Sequence, residues 1–198
     1  MSAKSVDLKK RRTLTVATSV VGAIGTGFVA VPFIGSWLPS ERAKAAGAPV
    51  EADFSKIEEG QQMTAKWRGK PVWILRRTTQ NLKDLETETA QLLDADSEGS
   101  SQPDYCKNKY RSIKPEYLVV VGICTHLGCS PTYRKEIGAT SFDANWKGGY
   151  FCACHGSKYD LAARIYSGMP APKNMEVPPH HYIADTAIVI GVDPEGKS

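Results

Sequence analysis

Charge is missing from residues 13–40: not one Asp, Glu, Lys or Arg stands in those 28 positions. Cysteine is scarce, with five in 198 residues; that is too few for a disulfide scaffold, and an odd number cannot pair completely. A surplus of positive charge is also missing once it is located. Residues 1–12 hold five basic side chains (Lys4, Lys9, Lys10, Arg11, Arg12) and one acid, Asp7, leaving 20 of each sign in the rest of the chain. A nucleic-acid-binding face therefore has no support. Internal repeats and low-complexity runs are absent too. The remaining mixture, 41% hydrophobic and 23% charged, is that of an ordinary globular chain.

The uncharged run has a membrane reading. Residues 13–31 precede Pro32 and would make roughly 28 Å of helix, close to the ~30 Å of a hydrocarbon core. Gly22, Gly25 and Gly27 are common residues in membrane helices, Pro32 and Pro39 mark a kink or an end, and Trp37 suits the far interface. Basic residues precede the run, and Glu41, Arg42 and Lys44 follow it with mixed sign. The positive-inside rule then predicts a cytoplasmic tail at 1–12, an anchor at 13–39 and everything after residue 40 on the other side. Arg11-Arg12-Thr13-Leu14 reads as a twin-arginine export signal. A cleaved signal peptide would use Ala43-Lys44-Ala45; the long run and the interfacial Trp favour a retained anchor. Residues 40–50, small and polar, read either as a linker spanning up to about 40 Å or as an Ala-rich helix extension. A segment poised between the two can serve as a hinge.

Residues 51–198 read as a mainly β head. Short apolar or β-branched runs at 71–77, 117–123, 149–152, 158–161, 164–167 and 187–192 are punctuated by Gly, Pro and Asn, as in a compact antiparallel assembly. Leu82, Leu85, Leu92 and Leu93 predict one helix over 82–93 behind an Asn81 cap. The polar stretch 94–112 reads as an exposed loop. Cys106 within it reads as a free thiol outside the chemistry, and His180 and His181 as loop residues that ligate nothing.

Two segments carry the chemistry: Cys124-Thr125-His126-Leu127-Gly128-Cys129 and Cys152-Ala153-Cys154-His155-Gly156-Ser157-Lys158-Tyr159. Four of the five cysteines and two of the four histidines fall in these 14 positions, so a metal or redox site is the default reading. Thiolate with imidazole suits zinc or an iron–sulfur centre. A structural zinc site usually takes like ligands from each segment, whereas here each segment offers one Cys and one His, with one Cys to spare. Two such loops can hold a diiron cluster, both thiolates on one iron and both imidazoles on the other, which raises the potential.

At these boxes the chain resembles the Rieske iron–sulfur proteins, specifically the membrane-anchored subunit of ubiquinol–cytochrome c reductase. The first box is matched in full; the second has Ala153 where the family usually has Pro. Gly168-Met169-Pro170-Ala171-Pro172 is similar to the family's proline-rich loop over the cluster, with Met169 as an insertion. The resemblance implies a Rieske-type antiparallel head with a cluster-binding part at about 122–173 and one helix-loop insertion, on a single transmembrane helix. It implies one [2Fe-2S] cluster on Cys124, His126, Cys152 and His155, and a disulfide between Cys129 and Cys154. It makes Ser157 and Tyr159 donors to cluster sulfur, and Leu127 an apolar shield. It further implies one-electron, proton-coupled oxidation of ubiquinol through His155 at a cytochrome b subunit, with transfer to a c-type cytochrome, in a dimeric complex. The setting would be lipid of a bacterial inner membrane, with the head periplasmic. Rival readings are the Rieske subunit of another exported oxidoreductase of arsenite oxidase type, and a zinc-stabilised, membrane-tethered binding module.

Overall fold

The structure is a computed structural model that describes residues 7–87 and 89–194; Lys4 in the basic tail and residue 88 in the expected helix lie outside the described residues. The chain forms two compact units, the first ending at Ala45 and the second beginning at Ala46.

The first unit is built on helix α1, Leu8–Gly35. It starts earlier than the apolar pattern suggests because Asp7 caps it, its carboxylate accepting from the Lys9 and Lys10 amides at 3.0 and 3.1 Å. It also runs through Pro32 to Gly35, so that proline ends nothing: the helix needs only forgo one amide hydrogen bond there. Thr13, Thr15 and Thr26 return their hydroxyls to carbonyls four residues back, which satisfies them without water. The helix is long and apolar enough to cross a membrane, and its large side chains are bare, Phe28 at 79% and Val29 at 70% exposure. Residues 40–50 are partly helical: α2, Glu41–Ala46, is one short exposed helix whose Ser40 cap accepts from the Ala43 amide at 3.2 Å.

Among its described residues the second unit contains nine strands: β1 Val50–Asp53, β2 Gln62–Trp67, β3 Lys70–Arg76, β4 Tyr117–Val121, β5 Thr132–Arg134, β6 Gly149–Cys152, β7 Ser157–Tyr159, β8 His180–Ala184 and β9 Ala187–Ile190. They form three antiparallel sheets, ordered β1-β9-β8, β2-β3-β4 and β5-β6-β7. The middle sheet is buried on both faces, which is why β4 reads as an unbroken apolar run. Alternation along β3 and β4 divides their side chains between two cores. Val72, Ile74, Val119 and Val121 pack with Ala52, Phe54, Ile188 and Ile190. Trp73, Leu75, Leu118 and Val120 pack on the other side with Cys124, Tyr150, Cys152 and Tyr159. One cysteine of each box, Cys124 and Cys152, is thus a core residue of the second face. Gly122 follows β4 because a Cβ there would overlap the Trp73 indole.

Several expectations need correction. Helix α3 spans Thr79–Thr87, not 82–93. Asn81 is not its cap: the Thr78 hydroxyl accepts from the Asn81 amide at 3.1 Å while the Asn81 Oδ1 accepts from the Thr78 amide at 3.0 Å, a reciprocal capping box. Leu92 leaves the helical face to pack with Trp146 and Tyr166. Residues 164–167 form only isolated bridges, of Ile165 with Tyr159 and of Tyr166 with Leu92. His180 and His181 open strand β8 rather than a loop; the buried His180 ring is held by the Pro178 carbonyl at 2.8 Å. Strands β1, β2 and β5 were not expected. Nor is the stretch 94–112 an exposed loop, since Ser97, Cys106, Arg111 and Ser112 are all buried.

Burial pushes the Cys106 thiol up to about 12, so it has almost no thiolate at neutral pH. Iodoacetamide at about pH 8 should therefore leave Cys106 unmodified in the folded, cluster-loaded protein and label it only on unfolding, as read by peptide mass spectrometry. Rapid labelling of the folded state would return this residue to the surface.

Candidate metal centre

The first box follows β4 and forms a turn on itself. The Cys124 carbonyl accepts from the Gly128 amide at 3.1 Å, and the Cys124 amide donates to the Cys129 carbonyl at 2.7 Å. The second box is the connection between β6 and β7, where Cys152 faces Ser157 across the ladder and the Cys152 carbonyl accepts from the Gly156 amide at 2.9 Å. Each turn therefore closes from a cysteine onto a glycine four residues later. Gly128 and Gly156 have φ of 83° and 80°, in the left-handed region where glycine carries no Cβ penalty.

This pairing brings the predicted residues together in an ordered way. Cys124 and Cys152 are both 2% exposed and belong to the same buried cluster. The His126 and His155 rings lie edge to face, with centroids 4.7 Å apart and planes at 87°. His126 is half-buried, His155 is exposed, and Leu127, next to His126 in the first box, is 72% exposed. Cys129 and Cys154 form a disulfide with a Cα separation of 6.7 Å, joining the two turns. The Cys129, Cys152 and Cys154 sulfurs lie within 4.8 Å of one another, but two of the three are bonded together and offer no thiolate. The available donors are two buried thiols and two outward imidazoles.

Those donors fit a diiron–sulfide group with mixed ligation. Burial, and then the neighbouring Cys124, push the Cys152 thiol up, so two adjacent thiolates there need cationic charge beside them. A metal supplies it. Two cysteines on one side and two histidines on the other match one sulfur-ligated and one nitrogen-ligated iron.

Tyr159 and Ser157 enter from β7, whose alternation sends both inward, each 0% exposed. The Tyr159 hydroxyl lies 3.2 Å from the Cys124 Sγ and accepts from the Thr125 amide at 3.2 Å. A thiolate has no proton, so beside a metal-bound Cys124 the phenol is the donor. Burial pushes the phenol well above its usual range, which keeps that proton in place. The Ser157 hydroxyl accepts from the Ala171 amide at 3.2 Å, leaving its own proton to donate. Thr125 had no role in the sequence reading. Its hydroxyl donates to the Lys173 carbonyl at 2.6 Å, tying the first box to the proline-rich segment that Ser157 ties to the second. A hydroxyl residue between the Cys and the His of the box was the only signal for it.

Residues 1–40 match the family described as "Ubiquitinol-cytochrome C reductase Fe-S subunit TAT signal", and residues 50–180 match "Rieske [2Fe-2S] domain". The chain is 57% identical over 193 residues to the "Ubiquinol-cytochrome c reductase iron-sulfur subunit" of Allochromatium vinosum, covering 98% of this chain and 93% of that protein. The protein of the same description from Blastochloris viridis is 41% identical over 191 residues, 96% of this chain and 97% of that one. The "Cytochrome b-c1 complex subunit Rieske, mitochondrial" of Theropithecus gelada is 37% identical over 184 residues, 91% of this chain and 60% of that one.

Cys154→Ser would keep all four candidate ligands and free the two turns from each other. A disulfide of this kind contributes ~2–4 kcal/mol. The variant is expected to lose its visible absorption much faster than wild type on mild heating in air. An unchanged lifetime would make the disulfide irrelevant to the centre.

Proposed function

Because this chain belongs to the Rieske [2Fe-2S] family, among the iron–sulfur subunits of ubiquinol–cytochrome c reductase, we propose that it accepts one electron from ubiquinol bound at a cytochrome b subunit and passes it to a c-type cytochrome subunit. It is an electron-carrying, membrane-anchored, exported subunit of a bacterial cytochrome bc complex, and it carries one [2Fe-2S] cluster.

When bound, the cluster supplies a one-electron acceptor of raised potential. In our reading Cys124 and Cys152 hold one iron, and His126 and His155 the other. The observation that carries this reading is the division of the site: both thiols lie in the core, while His155 and Leu127 lie outside it. An exposed imidazole can accept a hydrogen bond from the quinol hydroxyl at the ring nitrogen that does not bind metal, and can then take its proton. Leu127 beside it gives an apolar surface to a lipid-soluble substrate. Tyr159 and Ser157 donate toward sulfur and so favour the electron-rich state.

The same reading places residues 1–12 in the cytoplasm, 13–39 in lipid and the head, 51–198, in the periplasm, within a dimeric complex. The positive flank of α1 and its bare apolar surface support that orientation. Residues 40–50 would serve as the hinge between two electron partners, since one fixed position suits both poorly; every residue from 41 to 49 is exposed.

Ascorbate reduction of the purified complex should bleach a visible band and give the EPR signal of a reduced diiron cluster; a colourless, EPR-silent protein overturns the reading. Tyr159→Phe and Ser157→Ala should each retain iron and lower the midpoint potential. A hydrogen bond to a charged group contributes about 1.5–3 kcal/mol, or roughly 60–130 mV for one electron. Voltammetry without a shift in both variants would remove them from the tuning role. Replacing Ala45 and Ala46 together by Pro should leave cluster content and potential unchanged while abolishing most quinol–cytochrome c reductase turnover in the assembled complex. Near-normal turnover would make 40–50 a passive spacer.

A further inference from the structure

Three arginines are buried in the head, Arg77 at 1% exposure and Arg111 and Arg164 at 0%, against one fully buried carboxylate, Asp160. Among the described residues only Arg164 has an ion partner there, Asp160 at 2.7 Å. Two desolvated cations with no direct ion pair among the described residues are an expensive arrangement even with Asp160 nearby, and burial lowers both Arg77 and Arg111 to about 10. Such a cost calls for a reason, and their hydrogen bonds supply one.

Arg77 Nη1 donates to the Leu161 carbonyl at 3.2 Å. Arg111 Nη1 donates to the Ala162 and Ala163 carbonyls at 3.3 and 3.2 Å, and Arg111 Nη2 to the Met175 carbonyl at 2.7 Å. Arg164 Nη2 reaches the Leu85 carbonyl on α3 at 3.0 Å. Three successive carbonyls, 161 to 163, are thus each taken by a guanidinium from elsewhere in the chain. The turn they hold is otherwise awkward. It is folded around Asp160, whose Oδ1 accepts from the Ala162 and Arg164 amides, both at 2.8 Å. Ala163 sits at φ 57°, a left-handed conformation that an L-residue adopts only at a cost.

This turn begins immediately after Tyr159, the residue whose hydroxyl meets Cys124, and Ile165 on its far side bridges back to Tyr159. We infer that Arg111 and Arg77 are positioning residues: by clamping the carbonyls of residues 161–163 they hold the Tyr159 phenol against the Cys124 sulfur, so that the segment between β3 and β4 helps to set the cluster potential. The inference rests on the proposed tuning role of Tyr159. Action through charge is the competing explanation, and a substitution that keeps the charge while removing the planar fork separates the two.

The test uses the cluster-loaded full chain in its complex, with midpoint potential and iron content as readouts. Arg111→Lys keeps the charge and loses the planar fork; Arg111→Met loses both; Ser112→Ala, a milder change, removes the hydroxyl that accepts from Arg77 Nη2 at 2.6 Å. Arg111→Lys is expected to retain iron and to lower the potential in the same direction as Tyr159→Phe. In a Tyr159→Phe background neither Arg111 variant should shift the potential further, because groups acting through one contact are not additive. Should the Arg111 variants fail to fold, Ser112→Ala carries the same two comparisons. A wild-type potential in the folded variants, or a shift that adds in full to that of Tyr159→Phe, overturns the inference and leaves the role of Tyr159 standing. A Tyr159→Phe variant that shows no shift removes both.

Discussion

Two thiols taken out of water without a neighbouring ammonium are the constraint on which the head depends. Cys124 and Cys152 are buried together among Trp73, Tyr150, Tyr159 and Ile165, where burial pushes the Cys152 thiol up. Metal charge resolves the conflict, but only if both sulfurs stay in place before it arrives. Their places are fixed by secondary structure. Cys124 ends a strand connection governed by Gly122 and the Trp73 ring, and Cys152 is the last residue of β6, locked by its ladder to Ser157. The two-sided middle sheet follows from the same need. One face supplies the apolar wall behind the sulfurs, and the other is sealed by β1 and β9.

Rigidity on the sulfur side is obtained through polar groups as well as apolar ones. Tyr159, Ser157 and Thr125 link the two boxes to the proline-rich segment by hydrogen bonds in which every hydroxyl has a defined partner or a free proton to give. Asn174 extends the pattern: its side chain accepts from the Ile165 amide and donates to the Asp94 carbonyl and the Ser97 hydroxyl. In a medium of low dielectric such networks are stiff when complete and costly when broken. That explains why the segment between β3 and β4, polar in composition, is buried at Ser97, Arg111 and Ser112.

The boxes were legible in the sequence because ligand chemistry depends on residue type and local spacing, and both are written contiguously. The anchor was legible because an uncharged run of that length has few other uses. What could not be read depends on partners far along the chain. β1 pairs with β9 across more than a hundred residues, and neither Val50 nor its neighbours alternate strongly enough to announce a strand. Residues 164–167 looked like a strand by their apolar pair Ile165 and Tyr166, yet Arg164 is tied to Asp160 and the backbone turns. The stretch 94–112 looked solvated because Arg111 within it finds its acceptors at 162, 163 and 175, which no local pattern reveals. The helix was found but both its ends were missed: the Thr78 and Asn81 box lies just ahead of the leucine periodicity, and Leu92 packs with Trp146 and Tyr166 instead of continuing it.

The outer side of the site faces the opposite demand. In the proposed role an imidazole must meet a substrate and so cannot be buried, and the turns that carry His126 and His155 have little apolar area to hold them. Leu127 and His155 point away from the core, and Cys154 itself is exposed. Hydrophobic packing, which fixes the sulfurs, fades over the few ångströms between the thiols and the rings. The disulfide lies where it fades: Cys129 is half-buried at the edge of the core, Cys154 lies outside it, and the bond spans the two turns. A covalent link needs no buried area, so it can hold the histidines together without covering them. The protein thus uses burial where charge must be kept from water, and a bond where access must be kept open.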